Sequence, residues 1–201
     1  MRAILMAAGM GTRLRPLTEN TPKSLIEVNG MPLLERQIIN LREIGVEEII
    51  VLTGYLHEKF DDIVKKYNLI KVVNDKYDVY NNIYTMYLVR DYLKDAFVID
   101  ADNYITRNFL PKVQPKTSVY YSACKENITG EWILKYTETG RIYDVEIAPK
   151  NSKASYIMSG ASYWTEKDGK IISEKVKKAV EEDKLFDIYY PNIYQITYLL
   201  Q

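Results

Sequence analysis

The sequence predicts an α/β fold, and two observations support that prediction. In the first half, short apolar runs alternate with segments that carry apolar residues at helical spacing, which is typical of a parallel sheet covered by helices. From Thr117 onward, alternating apolar and polar residues separated by turn residues indicate antiparallel or mixed strands. Because no repeat or linker divides the chain, we expect a single domain over residues 1–201, with halves at 1–115 and 116–201.

The elements of the first half can be placed in order. Glu48 to Thr53 is a continuous apolar, largely β-branched run, which suits a buried parallel strand. Pro32 and Gly45 bracket a segment with helical spacing, as expected for a helix start and stop. By the same reasoning we predict strands at 3–5, 48–53, 70–73 and 96–99, and helices at 32–45, 58–67 and 82–93.

The second half has a different pattern of apolar and polar residues. Four alternating segments predict strands at 118–125, 131–136, 141–147 and 154–164, and a helix is expected over about 171–182. Cys124 lies in the first of these strands, and the alternation favours a buried structural thiol. An aromatic and apolar tail follows the helix.

Composition narrows the class of protein. The chain has 201 residues, 47% of them hydrophobic, with 27 basic and 27 acidic side chains. This balance gives no global field that favours nucleic acid or a membrane surface, so any anion site must be built locally. The first residues are too short an apolar run for a signal peptide, and one cysteine excludes an intrachain disulfide framework. We therefore expect a cytoplasmic protein without nucleic-acid or membrane partners.

Residues 6–25, MAAGMGTRLRPLTENTPKSL, are the most informative segment, and they follow the first strand directly. Gly9 and Gly11 allow positive φ and a close approach of backbone N–H groups to phosphate oxygens. Arg13 and Lys23 add a planar fork and a compact positive charge. Leu14 stands where a dinucleotide-binding loop needs its third glycine, and no Gly-Lys-Ser/Thr follows, so the loop is neither a Rossmann fingerprint nor a P-loop.

A pair of carboxylates follows the strand at 96–99. Asp100 and Asp102 are expected at the edge of the sheet where ligands bind, and burying them there is costly unless they hold a cation or hydrogen bonds. Asp pairs after a strand are also common turn formers. Beside a triphosphate loop, magnesium becomes the better interpretation, since Mg²⁺ takes one or two carboxylates together with substrate phosphates.

The loop resembles the signature of nucleotidyltransferases, which join a nucleoside triphosphate to a phosphorylated small molecule and release pyrophosphate. Enzymes of this group that act on hexose 1-phosphates carry a Glu-Lys-Pro motif, whereas the corresponding region here reads DVEIAP at residues 144–149. Across nearly the whole chain, the sequence is similar to bacterial phosphocholine cytidylyltransferases, in segments 74–77, 80–84, 99–104, 131–132, 159–164 and 186–190.

This resemblance implies a Rossmann-like, three-layer mixed sheet of the nucleotidyltransferase type with a small antiparallel lobe. It implies transfer of CMP from CTP to phosphocholine, with a nucleotide-binding half at 1–115 and an acceptor-binding half at 116–201. Mg²⁺ would be held by Asp102, and catalysis would depend on Arg13, Lys23 and Asp102. The residues implied around the nucleotide are Leu5, Ala7, Ala8, Gly9, Gly11, Arg13, Lys23, Asn82 and Asp100, and those implied around the acceptor are Trp132, Asp187 and Tyr190.

Two departures from the family leave alternatives open. Tyr190-Pro191 stands where the family can have Trp-Asp, and the sequence ends at Gln201 before a further Glu-x-Asp type segment that supplies a carboxylate in the relatives. A different residue, or a longer polypeptide, is then expected to complete the metal site. Aminoethylphosphonate, phosphoethanolamine or a sugar 1-phosphate are alternative acceptors, and a non-catalytic nucleotide-binding module is the alternative outside enzymes. The oligomeric state and a fusion partner stay open.

Overall fold

The computed structural model describes residues 1–80, 82–150 and 152–186. Its regular elements, in chain order, are β1 (Arg2–Ala7), β2 (Glu27–Val28), β3 (Met31–Pro32), α1 (Leu33–Glu43), β4 (Glu48–Thr53), α2 (Asp61–Tyr67), β5 (Ile70–Val73), α3 (Asn82–Leu88), β6 (Ala96–Asp100), β7 (Val119–Lys125), β8 (Trp132–Tyr136), β9 (Ile142–Ile147), β10 (Ser155–Trp164) and α4 (Glu166–Glu181). Short 3₁₀ helices lie at Thr12–Leu14, Lys23–Leu25, His57–Phe60 and Arg90–Tyr92. In this described part, no helix has the length and apolar character needed to cross a membrane.

The parallel half of the sheet has the order β5-β4-β1-β6. The inner strands β4, β1 and β6 are largely buried because helices cover both faces of the sheet, whereas the edge strand β5 is half-buried. Leu34, Ile38 and Leu41 of α1 pack on one face together with part of α2. Residues of α3 and α4, including Ile83 and Ile172, pack on the other face. The predicted three-layer arrangement is therefore confirmed.

Strand β10 joins the parallel sheet to the antiparallel lobe. Its residues 161–164 pair antiparallel with β6, while β7 runs along its other side. Further toward its start, Ile157 pairs with Ile133 of β8, which in turn pairs with β9. The register shifts between Met158 and Ala161, where Gly160 has φ +73°. The shift places a bend in β10 beside the carboxyl end of β6.

The structure differs from the sequence prediction at several element ends. The last helix begins at Glu166 rather than near residue 171, because the Thr165 side chain accepts a hydrogen bond from the Asp168 N–H and caps the helix. The helix predicted over 82–93 ends at Leu88 and continues as a separate 3₁₀ turn. The β2–β3 hairpin was not predicted.

The prediction of a buried Cys124 is wrong, because this thiol is exposed. The first three residues of β7 are half-buried, while the last four, from Ser122 on, are exposed. Alternation along the strand therefore does not place Cys124 in the core, because this end of β7 extends beyond the hydrophobic clusters.

Candidate active site

Two adjoining cavities form a cleft at the carboxyl ends of β1 and β6. The first has a volume of about 240 Å³ and the second about 270 Å³. Met6 and Gly9 line both cavities, so the two lie next to each other along the loop that follows β1. The first cavity is lined by Met6, Ala7, Gly9, Gly11, Thr12, Arg13, Leu14, Lys23, Ser24 and Asp102, and the second by Met6, Ala8, Gly9, Tyr77, Tyr80, Asn82, Thr85, Met86, Val98 and Asp100.

The two glycines of the loop have different roles. Gly11 has φ +62°, and a Cβ built there would lie 3.0 Å from Cγ2 of Thr18 and 3.1 Å from Cβ of Lys23. The Thr18 hydroxyl donates a 2.9 Å hydrogen bond to the Gly11 carbonyl and fixes this turn from the buried side. Gly9 does not have the predicted positive φ. Instead, it lines both cavities without a side chain, and no atom lies within 4 Å of a Cβ built there.

The first cavity has a positive wall. Arg13 is exposed on the 3₁₀ helix that starts at Thr12, and within the described ranges no carboxylate pairs with it. Lys23 starts the next 3₁₀ helix, and its Nζ lies 2.5 Å from Oδ2 of Asp102. About a third of each side chain in this pair is exposed, 34% and 36%. The pair therefore joins the loop to the turn after β6 in a place that ligand and solvent reach.

Asp100 and Asp102 divide between the two cavities. Asp102 lines the first, and Asp100 lines the second. Solvent reaches Asp100 through the cavity, but protein encloses it on the other sides, and this desolvation raises the pKa of its carboxyl to about 7. The negative charge of Asp102 raises that pKa further, while Lys23 lowers it. Without ligand, two carboxylates therefore share a site that has one nearby ammonium.

Gly160 of β10 forms the wall behind Asp100. A Cβ built on Gly160 would lie 2.2 Å from Oδ2 of Asp100 and 2.8 Å from its Cγ, so only glycine leaves room for the carboxylate. The Gly160 N–H donates a 3.0 Å hydrogen bond to the Tyr120 hydroxyl, which holds the bulged backbone against β7. The sequence prediction missed this role, because it depends on the antiparallel pairing of β10 with β6.

The second cavity is partly aromatic. Tyr80 packs edge-on against Tyr84 at 5.1 Å between ring centroids and stacks on Phe186 at 4.5 Å. The buried Thr85 hydroxyl accepts a 3.1 Å hydrogen bond from the Asn74 side chain. The predicted residue Asn82 opens α3 and lines this cavity. A flat ring with hydrogen-bonding edges fits a cavity with these walls.

The structure brings most of the predicted site residues together, but not all of them. Leu5 is fully buried in the core beside α1, and it lines neither cavity. Trp132 is half-buried at the start of β8, where it packs against the cluster that contains α4. Asp187 and Tyr190 lie outside the described residues. The roles of these four residues, like those of the predicted residues that line the cavities, stay predictions.

Comparisons with known proteins identify the family. Residues 2–193 match the family model described as nucleotidyl transferase. The chain is 44% identical to the choline-phosphate cytidylyltransferase of Streptococcus pneumoniae over 96% of its own length and 82% of that protein, and 36% identical to the 2-aminoethylphosphonate cytidylyltransferase of Lancefieldella rimae over 90% and 73%. A solved structure of CTP:phosphocholine cytidylyltransferase from S. pneumoniae matches with a TM-score of 0.90 and 43% identity, covering 97% of this chain and 84% of that one.

The chain belongs to the nucleotidyl transferase family. The predictions of the fold class, of the family and of a nucleotidyl-transferring enzyme are thereby confirmed. The cleft described above lies where ligands bind in open α/β sheets, at the carboxyl ends of neighbouring parallel strands.

The donor groups of the cleft fit a divalent metal ion, which nucleotidyl transferases generally use. Among residues 1–80, 82–150 and 152–186, no group of three His, Cys, Asp or Glu side chains could hold a metal by itself. Asp100 and Asp102 nevertheless offer hard oxygen donors at one turn, and a cation there would relieve their mutual repulsion. Two carboxylates with substrate phosphates make a donor set that suits Mg²⁺ better than a protein-only cage does.

Because its pKa is raised, Asp100 should lower the free energy of unfolding of the metal-free, ligand-free protein as the pH rises. A carboxyl whose folded pKa lies above its unfolded value of 3.8 stabilises the fold below about pH 4, and this contribution is lost as pH rises toward 7. Asp100→Asn removes the cost, so the Tm of the variant minus that of the wild type should increase from pH 5 to pH 8. Because solvent reaches the carboxylate, we expect this increase to be only about 1 kcal/mol in the free energy of unfolding, or about 2–4 °C in Tm. Thermal unfolding in a chelator measures this difference, and an equal difference at both pH values would contradict the assignment.

The contact between Gly160 and Asp100 predicts that Gly160→Ala is far more damaging to function than its backbone strain explains. Gly140→Ala is the matched control, since Gly140 has φ +80° and no atom lies within 4 Å of a Cβ built there. Each variant should lose about 1–2 kcal/mol of folding stability, because alanine is strained at a positive φ. Only Gly160→Ala should also displace Asp100, and we expect its nucleotidyl transfer rate to fall at least about tenfold below that of Gly140→Ala. Equal rates in the two variants, measured at a temperature where both are folded, would show that the wall is not needed.

Proposed function

We propose that this protein transfers CMP from CTP to phosphocholine, giving CDP-choline and pyrophosphate. The observation that carries the proposal is the pair of adjoining cavities. The first is cationic at Arg13 and Lys23 and is lined by Asp102, and the second is partly aromatic at Tyr77 and Tyr80 and is lined by Asp100. A nucleoside triphosphate matches these features in the same order. The similarity to a choline-phosphate cytidylyltransferase supports cytidine as the base and phosphocholine as the acceptor.

The chemistry requires positioning and charge neutralisation. An oxygen of the acceptor phosphate attacks the α-phosphorus of CTP in line and forms the new P–O bond, while the bond to the bridging oxygen of the β-phosphate breaks and pyrophosphate leaves with its electron pair. The attacking oxygen is already ionised at neutral pH, so no general base is needed. Arg13 and Lys23 bind the triphosphate oxygens and stabilise the charge that develops on them. Lys23 has three N–H donors for this, one of which faces Asp102 in the absence of nucleotide.

Asp102, with Asp100 beside it, would hold Mg²⁺ in the cleft. The ion would neutralise phosphate charge and orient the triphosphate when it is bound. The backbone of the loop complements this, because Gly9 leaves open space for phosphate oxygens and Gly11 lines the same cavity.

The acceptor is assigned to the half that comprises residues 116–201, and the nucleotide to residues 1–115. Trp132, Asp187 and Tyr190 are proposed to surround the choline head group. A quaternary ammonium has no N–H to donate, so ring faces recognise it at about 0.5–2 kcal/mol per contact, and a nearby carboxylate adds to this. A primary-amine acceptor such as 2-aminoethylphosphonate is the second candidate, favoured by the 36% identical relative from Lancefieldella rimae and by Tyr190-Pro191 in this chain.

A substrate panel tests the proposal. Pyrophosphate release is measured with CTP and Mg²⁺ and, in parallel, phosphocholine, aminoethylphosphonate, phosphoethanolamine or glucose 1-phosphate, with ATP, UTP and dTTP as nucleotide controls. We expect turnover with CTP and phosphocholine. A preference for a primary-amine acceptor would retain the enzyme class and replace the acceptor, whereas CTP binding without release in any reaction would contradict the proposed activity and indicate a binding module.

Removing the charge of Lys23 should slow turnover by about 10²–10³-fold and leave the fold intact, because the ammonium is needed where negative charge develops and its ion pair with Asp102 is partly exposed. Lys59→Ala is a suitable control, since Lys59 is an exposed lysine on the 3₁₀ helix His57–Phe60 and lines neither cavity. Steady-state kinetics and circular dichroism of Lys23→Ala and Lys59→Ala measure both effects. Near-full activity in Lys23→Ala would remove Lys23 from the mechanism.

A further inference from the structure

Gln37 of α1 is a polar side chain at a core position. It shares the inner face of the helix with Leu34, Ile38 and Leu41 and is only 1% exposed. An apolar residue is the expected choice at this spacing, since a buried amide is costly unless it is hydrogen-bonded. The position therefore needs an explanation beyond packing.

The amide of Gln37 is directed at the turn that carries the two carboxylates. Its Nε2 donates hydrogen bonds of 3.0 Å to the carbonyl oxygens of both Asp100 and Asn103. Because both partners are carbonyls, only the nitrogen of the amide can face them, which fixes its orientation. The Oε1 of Gln37 has no hydrogen-bond partner in the described ranges, so the hydrogen bonds of this amide go to the turn.

Two further tethers hold the same turn. The Ala101 N–H donates to the Met6 carbonyl of β1 at 3.0 Å, and the Asn103 side chain donates to the Ser159 carbonyl of β10 at 2.7 Å. Asp102 lies between these two tethered residues. Its carboxylate is held by Lys23, which shares its three N–H donors with phosphate once the nucleotide binds. The backbone of the turn then sets the point from which the Asp102 side chain reaches the cation.

We infer that Gln37 is a positioning residue for the reaction: by binding the carbonyls of Asp100 and Asn103 from beneath, it holds the Asp102 carboxylate in place to receive the cation of the nucleotide complex. This rests on the proposed function, since it assumes that Asp102 binds the metal. Groups that orient metal ligands in this indirect way typically change metal affinity by about 10–100-fold.

The test uses Gln37→Met, which keeps the length of the side chain and removes both hydrogen bonds. Binding of Mn²⁺ in the presence of CTP, without acceptor, is measured by electron paramagnetic resonance. We expect affinity to fall about 10–100-fold, and the Mg²⁺ concentration at half-maximal velocity to rise by a similar factor. Asn108→Leu is the matched control, because Asn108 donates a 2.9 Å hydrogen bond to the Asn40 carbonyl on the same helix. The control should lose stability without any change in metal affinity.

Gln37→Met also removes the side-chain donor from both carbonyls, and the Asp100 carbonyl then keeps only the Asn103 N–H at 3.2 Å, so a second variant guards against loss of folding. Asn103→Ala removes the tether to β10 from a half-buried position and should weaken Mn²⁺ binding in the same direction. Wild-type Mn²⁺ affinity in a folded Gln37→Met protein, or in Asn103→Ala if Gln37→Met does not fold, would overturn the inference and leave Gln37 a purely structural residue. If the wild type itself binds no Mn²⁺ with CTP, the proposed function fails first, and the two failures are distinguishable.

Discussion

The structure depends on opposite charges meeting across two neighbouring parallel strands. Lys23 and Asp102 are 79 residues apart in sequence, and their ion pair forms because β1 and β6 are adjacent and present their carboxyl ends at one edge. The pair is about one-third exposed, and ion pairs of this kind contribute about 0–1 kcal/mol. It thus links the loop to the turn at a small gain in free energy, which a ligand can replace.

The antiparallel lobe contributes to the cleft as well as extending the sheet. Strand β10 supplies Ser159, whose carbonyl holds Asn103, and Gly160, whose missing side chain leaves room for Asp100. The bulge that makes this possible is fixed through Tyr120 of β7. The nucleotide half is consequently incomplete without β10, although every predicted nucleotide-binding residue precedes that strand.

Local patterns in the sequence predicted most of the fold, because strand and helix periodicities depend on which face of an element is buried. The missed features depend on other signals. Asn29 and Gly30 both have positive φ and close the β2–β3 hairpin, a turn that an Asn-Gly pair favours. The loop and both aspartates were found because their residue types bind phosphate and metal. Gln37 and Gly160 were not, since their roles arise from contacts between elements that periodicity does not reveal.

The charge balance of the cleft also bears on which form of nucleotide it can accept. The chain has no net charge, so it provides no long-range attraction for an anion, and screening limits surface fields to about 8 Å at physiological salt. Within the cleft, a free triphosphate that binds Lys23 competes with the negative charges of Asp102 and Asp100 for the same ammonium. A free cation that binds Asp102 is left facing the like charge of the Lys23 ammonium. A metal-bound triphosphate provides an anion for Lys23 and a cation for Asp102 at once. On the proposed function, the ion pair between Lys23 and Asp102 therefore favours the complete metal–nucleotide complex over either component alone.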